Sequence, residues 1–177
     1  MEGGMNMTKR GSESKDGVEI LRWRIEMPEL PVYETVIAFF ETIASSVSDF
    51  CQGALKARAS EAYEHSTDPK KRFRHPPLVY ECVAEPAEEG ADFLSIKLTV
   101  SLRQGGKDLC RRSFGLVFDR SDQTLLSPRE AARKRGVRCL PLSLWRDKGG
   151  VLLRDGSVWV RKGEEWAPFL AEKTKKY

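Results

Sequence analysis

Residues 92–119 read DFLSIKLTVSLRQGGKDLCRRSFGLVFD, and this stretch decides the fold. Leu94, Ile96, Leu98, Val100 and Leu102 take every second position, with Ser95, Lys97, Thr99, Ser101 and Arg103 between them. A period of two marks a strand with one buried face. Gln104-Gly105-Gly106-Lys107 follows, and two glycines supply the positive φ that a two-residue hairpin turn needs. The return strand, 108–119, is expected to turn Cys110, Phe114, Leu116 and Phe118 inward. Arg112 then either points inward, or a bulge near Arg111-Arg112 resets the register.

A lone hairpin is marginal in water, so this one needs a larger sheet. LVYECVAE (78–85) reads as a strand before it. EILRWRIEMPEL (19–30) reads as another, with Leu21, Trp23, Ile25 and Met27 on one face and Arg22, Arg24 and Glu26 on the other; Pro28 ends its ladder. Between these two lies the longest helix. Pro31 opens it, and Tyr33, Val36, Ile37, Phe40, Ile43, Ala44, Val47, Phe50, Cys51, Ala54 and Leu55 recur at three- and four-residue steps. The helix is expected to end near Glu64. Gly53 in its interior costs about 1 kcal/mol relative to Ala, and either permits close packing or marks a bend. No second helix of comparable length is predicted, so a sheet is the expected cover for this apolar stripe.

Beyond the hairpin, Ser127 before Pro128 and Glu130 is a helix N-cap with proline at the first helical position. The short basic helix PREAARKR stops at Gly136. In GVLLRDGSVWVRKG, Asp155-Gly156 between alternating apolar residues signals a second hairpin, with Val151 and Leu153 beside Val160 and Val158, and Leu152 opposite Trp159. The expected class is α+β: one long N-terminal helix packed on an antiparallel meander sheet as a two-layer sandwich, with a short helix and a C-terminal hairpin. Residues 1–17, rich in Gly, Ser, Lys and Glu, read as a disordered leader. Residues 18–170 read as a single domain, and 171–177 as a basic tail carrying Lys173, Lys175 and Lys176.

The order of these elements resembles that of the RsiV-like (DUF3298-like) domains. Those occur in the extracellular part of a lysozyme-sensing anti-sigma factor and beside peptidoglycan deacetylase domains. The resemblance covers about residues 20–136 and rests on YETVIAFFETIASSVSDFCQGALKARASEAYE (33–64), LSIKLTVSLRQGG (94–106) and FGLVFDRSDQTLLSPREA (114–131). The last of these is a strand ending in Phe-Asp, a turn, Leu-Leu and a short helix. This sequence departs from the family in three ways. It shows no signal peptide or membrane anchor, it has RQGGKD where the family hairpin is aromatic with Gly-Gly before a His, and the family's C-terminal proline-rich segment is not recognisable. The resemblance implies a non-catalytic recognition domain and carries no binding residue over to this chain.

Composition bounds the chemistry. The 177 residues carry 30 basic and 26 acidic side chains, a net charge of +4, too small to mark a nucleic-acid protein by itself. Distribution says more. Lys70, Lys71, Arg72, Phe73 and Arg74 set an aromatic ring among cations, which can stack on a base. Arg129, Arg133 and Arg138 lie near one face of the short helix and its exit, where they could meet phosphates. Trp159 and Trp166, beside the last hairpin, are candidate protein contacts.

His65 and His75, the only histidines, lack further ligands at metal spacing. No nucleophile, base and orienting group come together in sequence, so no catalytic residue, metal or cofactor is expected. Cys51, Cys82, Cys110 and Cys139 are isolated and read as buried free thiols in a reducing compartment; a disulfide is the alternative. With no signal peptide and no apolar run long enough for a bilayer, the expected setting is the bacterial cytoplasm, without membrane association. The leading expectation is a non-enzymatic domain with an unidentified protein partner. Its alternative is a nucleic-acid-associated protein using 70–75 and 129–138.

Overall fold

The computed structural model describes residues 8–28, 33–66, 74–145 and 149–169. The fold mixes α and β elements, and among the described residues the strands form one five-stranded and one three-stranded sheet. The chain divides into two compact units. The first holds residues up to Ala84 with Thr99–Arg112; the second holds Glu85–Leu98 and everything from Ser113 onward.

The first unit begins with β1 (Thr8–Lys15) and β2 (Val18–Glu26). They pair antiparallel through a tight turn at Asp16 (φ 52°) and Gly17 (φ 77°). Residues 8–15 are therefore a strand and not part of a disordered leader. β1 stands at the end of its sheet and is largely exposed, so the backbone ladder to β2 holds it and no apolar alternation is needed. Residues 1–7 and the basic tail lie outside the described residues.

The long helix comes in three parts: α1 (Glu34–Phe50), a single π turn (Cys51–Leu55) and α2 (Lys56–Glu64). Its expected opening at Pro31 lies outside the described residues. Val36, Phe40, Ala44, Cys51, Leu55, Ala59 and Tyr63 are buried, mostly four residues apart. A four-residue step drifts by about 40° per turn around an α-helix. The wider π turn winds back by a similar amount, so Cys51, Leu55, Ala59 and Tyr63 stay on the stripe. Gly53 lies inside that turn and is exposed.

After the helix comes β3 (Leu78–Glu89), followed by β4 (Phe93–Gln104) and β5 (Lys107–Asp119). The sheet order is β1-β2-β3-β4-β5. β2 and β3 pair in parallel, Leu21 with Leu78 and Ile25 with Cys82. The N-terminal strand thus joins the sheet through a parallel pair, beside the meander expected after the helix. A long helix between two neighbouring strands returns the chain to its starting end, which requires a parallel pair. In the first unit Leu21, Ile25, Leu78 and Cys82 are buried, and Tyr80 meets Phe50 of α1 ring to ring at 5.7 Å.

The second unit holds α3 (Pro128–Arg133), α4 (Leu142–Trp145), β6 (Val151–Arg154), β7 (Ser157–Lys162) and β8 (Glu165–Pro168). The turn at Asp155 (φ 50°) and Gly156 (φ 77°) pairs Val151 with Val160, Leu152 with Trp159 and Leu153 with Val158, as the alternation predicts. α3 carries a full capping box, with Ser127 and Glu130 bonded reciprocally. Phe93, Val117, Ala131, Leu140, Val151, Leu153 and Val158 share one core.

Candidate recognition face

Strand register builds this face in the first unit. β2 buries Leu21, Trp23 and Ile25, so Arg22 and Arg24 point to the other side. Arg10 of β1 lies opposite Arg24, and Arg24 lies opposite Glu81 of β3. Ser12 lies opposite Arg22, which lies opposite Val79. A row, Arg10–Arg24–Glu81, thus crosses three strands and continues to Arg103 of β4, with Arg10 and Arg103 exposed and Arg24 and Glu81 half-buried. Arg24 donates through Nη2 to Glu81 Oε2 at 2.5 Å and through Nη1 to Glu26 Oε2 at 2.5 Å. Arg103 Nη2 donates to Glu81 Oε1 at 2.5 Å. Arg22 Nη2 donates to Glu19 Oε1 at 2.6 Å. Around this network lies an open cleft of about 620 Å³, lined among others by four arginines and the carboxylates of Glu19 and Glu81.

The electrostatics lock the pattern. The direct bond from Arg24 holds the Glu81 carboxyl below its usual range, with the charges of Arg24 and Arg103 adding to it. The same bond raises the Arg24 guanidinium. One ionised carboxylate therefore spaces two guanidiniums and fixes their rotamers. Arg10 and Arg22 are exposed beside it. The face is a mosaic of fixed charges with a positive excess. Such a surface orients and holds acidic side chains.

The residues selected from sequence fall elsewhere. Lys70, Lys71, Arg72 and Phe73 lie outside the described residues, and Arg74 is exposed in the first unit. Arg129, Arg133 and Arg138 are exposed in the second unit. Their neighbours are engaged there. Lys134 Nζ reaches Asp119 Oδ2 at 3.0 Å and Asp92 Oδ2 at 3.1 Å. Arg135 pairs with Glu88 and lies 4.7 Å over the Phe93 ring. Asp119 also accepts from the Ser121 amide at 2.8 Å and the Ser121 hydroxyl at 2.5 Å. The Ser121 hydroxyl above all, then Lys134, holds the Asp119 carboxyl well below the carboxylate range. Asp119 thus closes the turn after β5.

Trp159 and Trp166 are half-buried. Trp159 donates Nε1–H to the Arg154 carbonyl at 2.9 Å, and Trp166 donates Nε1–H to Ser113 Oγ at 2.6 Å. Leu125 and Leu126 do not both return to the core. Leu126 packs against it, while Leu125 is 47% exposed, because neighbouring residues on extended backbone point opposite ways. On β5, Val117 and Phe118 are buried but Cys110 is exposed, so the expected inner face does not run the length of the strand.

All four cysteines are free, Cys51 and Cys82 buried, Cys110 and Cys139 exposed. Burial pushes the Cys51 thiol up to about 12 and the Cys82 thiol up to about 11, so neither serves as a nucleophile near neutral pH. Among the described residues, no three His, Cys, Asp or Glu side chains group as metal ligands, and no helix is long and apolar enough to cross a membrane.

Sequence reasoning missed the face because it needs register. Arg22 and Arg24 were readable as the outer side of β2. Nothing local places Arg10, Glu81 and Arg103 next to them.

No family model matches this chain, and no curated protein does. Among solved structures it is similar to a DUF3298 family protein from Pseudomonas aeruginosa PAO1, over 87% of this chain and 81% of that one. The two are 13% identical with a TM-score of 0.50, so the likeness is one of fold.

Proposed function

We propose that this chain is a non-catalytic recognition domain that binds an acidic protein surface through the outer face of its N-terminal sheet. The observation that carries this reading is the Arg10–Arg24–Glu81–Arg103 row with Arg22 beside it. An open cleft suits a protein surface better than the enclosed, mostly apolar pocket of a small ligand. The low-lying carboxyls and the buried thiols supply neither a general base nor a nucleophile poised near neutral pH. The fold likeness to a DUF3298 family protein and the resemblance to RsiV-like domains fit the same role, with helix and sheet as a two-layer sandwich. A bacterial cytoplasm suits the four free thiols.

A nucleic-acid partner is the second reading, favoured by exposed Arg129, Arg133 and Arg138. It is the weaker one, because Glu88, Asp92 and Asp119 neutralise the cations between them. Phosphate binding draws on unpaired cations.

Site-specific photocrosslinking separates the two. Benzoylphenylalanine is placed at Arg22, or at Arg133 as comparison, and irradiated in native lysate. The expected result is a discrete protein adduct at 22 that survives nuclease. A nuclease-sensitive adduct at 133, with none at 22, overturns the proposal.

A further inference from the structure

We infer that residues Lys107–Arg112 of β5 form a docking edge, where an extended acidic segment of the partner adds to the sheet as a further strand. This rests on the recognition reading above and specifies its mode.

Among the described residues, the sheet order gives β5 one neighbouring strand, β4. From Ser113 onward its outward backbone groups are occupied. Ser113 O accepts from Arg161 Nη1 at 3.2 Å, Gly115 N donates to Gly149 O at 2.7 Å, and Val117 O accepts from Leu126 N at 2.8 Å. Asp119 N donates to Thr124 O at 2.9 Å. Lys107–Arg112 differ. All six are exposed, and among the described residues no backbone bond is made on their outer side. The two-residue turn at Gly105-Gly106 sets Lys107 against Gln104, so Asp108 aims N–H and C=O outward; from Ser113 onward the odd positions face outward, so the register shifts by one residue between them. Such an edge is a template for an incoming strand.

Charge selects the occupant. Lys107, Arg111 and Arg112 outnumber Asp108 along the edge, and Leu109, 48% exposed, offers an apolar anchor. A second copy would set like charges against each other. Of the chain's own segments outside the described residues, 67–73 and 170–177 are lysine-rich and of the wrong sign, 1–7 and 29–32 carry one carboxylate each, and 29–32 and 146–148 are too short to add as a strand. Acidic residues on an extended partner fit. A second cleft of about 300 Å³, lined by Glu81, Thr99, Ser101, Arg103, Asp108 and Arg111, joins this edge to the recognition face. The opposite edge, β1, lacks large apolar residues and so offers no comparable anchor.

The test uses the full chain and an eight-residue peptide alternating Glu and Val, with a Lys/Val peptide as comparison. Amide hydrogen exchange is followed by NMR. The Glu peptide is expected to slow exchange at Asp108 and at further amides within Leu109–Arg112, and the Lys peptide is not. Asp108→Pro removes an outward N–H and should weaken binding about tenfold. Should it unfold, Arg111→Glu with Arg112→Glu reports the same loss. Peptide binding that leaves those amides unprotected overturns the inference, as does self-association of the free chain through this edge. Binding lost with Arg22→Glu but untouched by the edge variants also overturns it, while sparing the recognition face.

Discussion

Glu81→Gln removes the carboxylate that Arg24 and Arg103 share while keeping the side chain's shape. Both bonds are 2.5 Å, but the side chains of Arg24 and Arg103 are 35% and 49% exposed. Pairs this open are worth about 0.2–1 kcal/mol each. Repulsion between two guanidiniums left side by side adds a few tenths, so the expected loss is about 0.5–2 kcal/mol. That lowers the melting temperature by about 2–4 °C per kcal/mol for a chain of this size. The pH dependence identifies the cause. The folded carboxyl lies below its unfolded value, so its stabilisation is fully present above the ordinary carboxylate range and is lost as pH falls through the folded pKa. The gap between wild type and Glu81→Gln should be full near neutral pH, narrow below about pH 4 and close in stronger acid. Urea unfolding followed by tryptophan fluorescence across that range measures it. Equal stability of the two proteins near neutral pH, or a gap that widens in acid, refutes the reasoning. Affinity for an acidic partner should hold or rise, since the substitution removes a negative charge from the face.

Three other substitutions or reactions probe the frame. A Cβ on Gly11 would lie 2.3 Å from the Trp23 ring, so Gly11→Ala should displace the indole, shift its emission and cost about 1–3 kcal/mol. Ser127→Ala breaks the capping box and should destabilise the second unit by about 1 kcal/mol, read from its unfolding midpoint. A thiol reagent near neutral pH should modify Cys110 and Cys139 quickly, and Cys51 and Cys82 only on unfolding. Equal rates at all four would contradict the packing described for the π turn and β3.

Much of the frame was legible in the sequence, for reasons visible at particular residues. Leu94 to Leu102 alternate, Asp155-Gly156 forces a hairpin, and Ser127-Pro128-x-Glu130 caps a helix. Each is a local rule obeyed locally. β1 escaped because an edge strand needs a ladder more than apolar side chains, although Asp16-Gly17 carries the same turn signal as Asp155-Gly156. β8 escaped likewise: Glu165–Pro168 is short and is held by pairing, with Trp166 opposite Arg161. The parallel β2–β3 pair followed from a strand, a long helix and a strand, but that consequence was not drawn. The recognition face depends on which residues of four strands stand side by side. Register is a property of the folded sheet that no short window of sequence contains.

The central claim is that this chain recognises an acidic protein through the outer face of its N-terminal sheet. The most direct measurement compares what wild type, Arg10→Glu/Arg22→Glu and Arg129→Glu/Arg133→Glu retain from nuclease-treated lysate at two salt concentrations. The account predicts that wild type and Arg129→Glu/Arg133→Glu hold the same acidic protein, weakened by salt, and that Arg10→Glu/Arg22→Glu loses it while remaining folded. Retention of that protein by Arg10→Glu/Arg22→Glu, with loss in Arg129→Glu/Arg133→Glu, would contradict it.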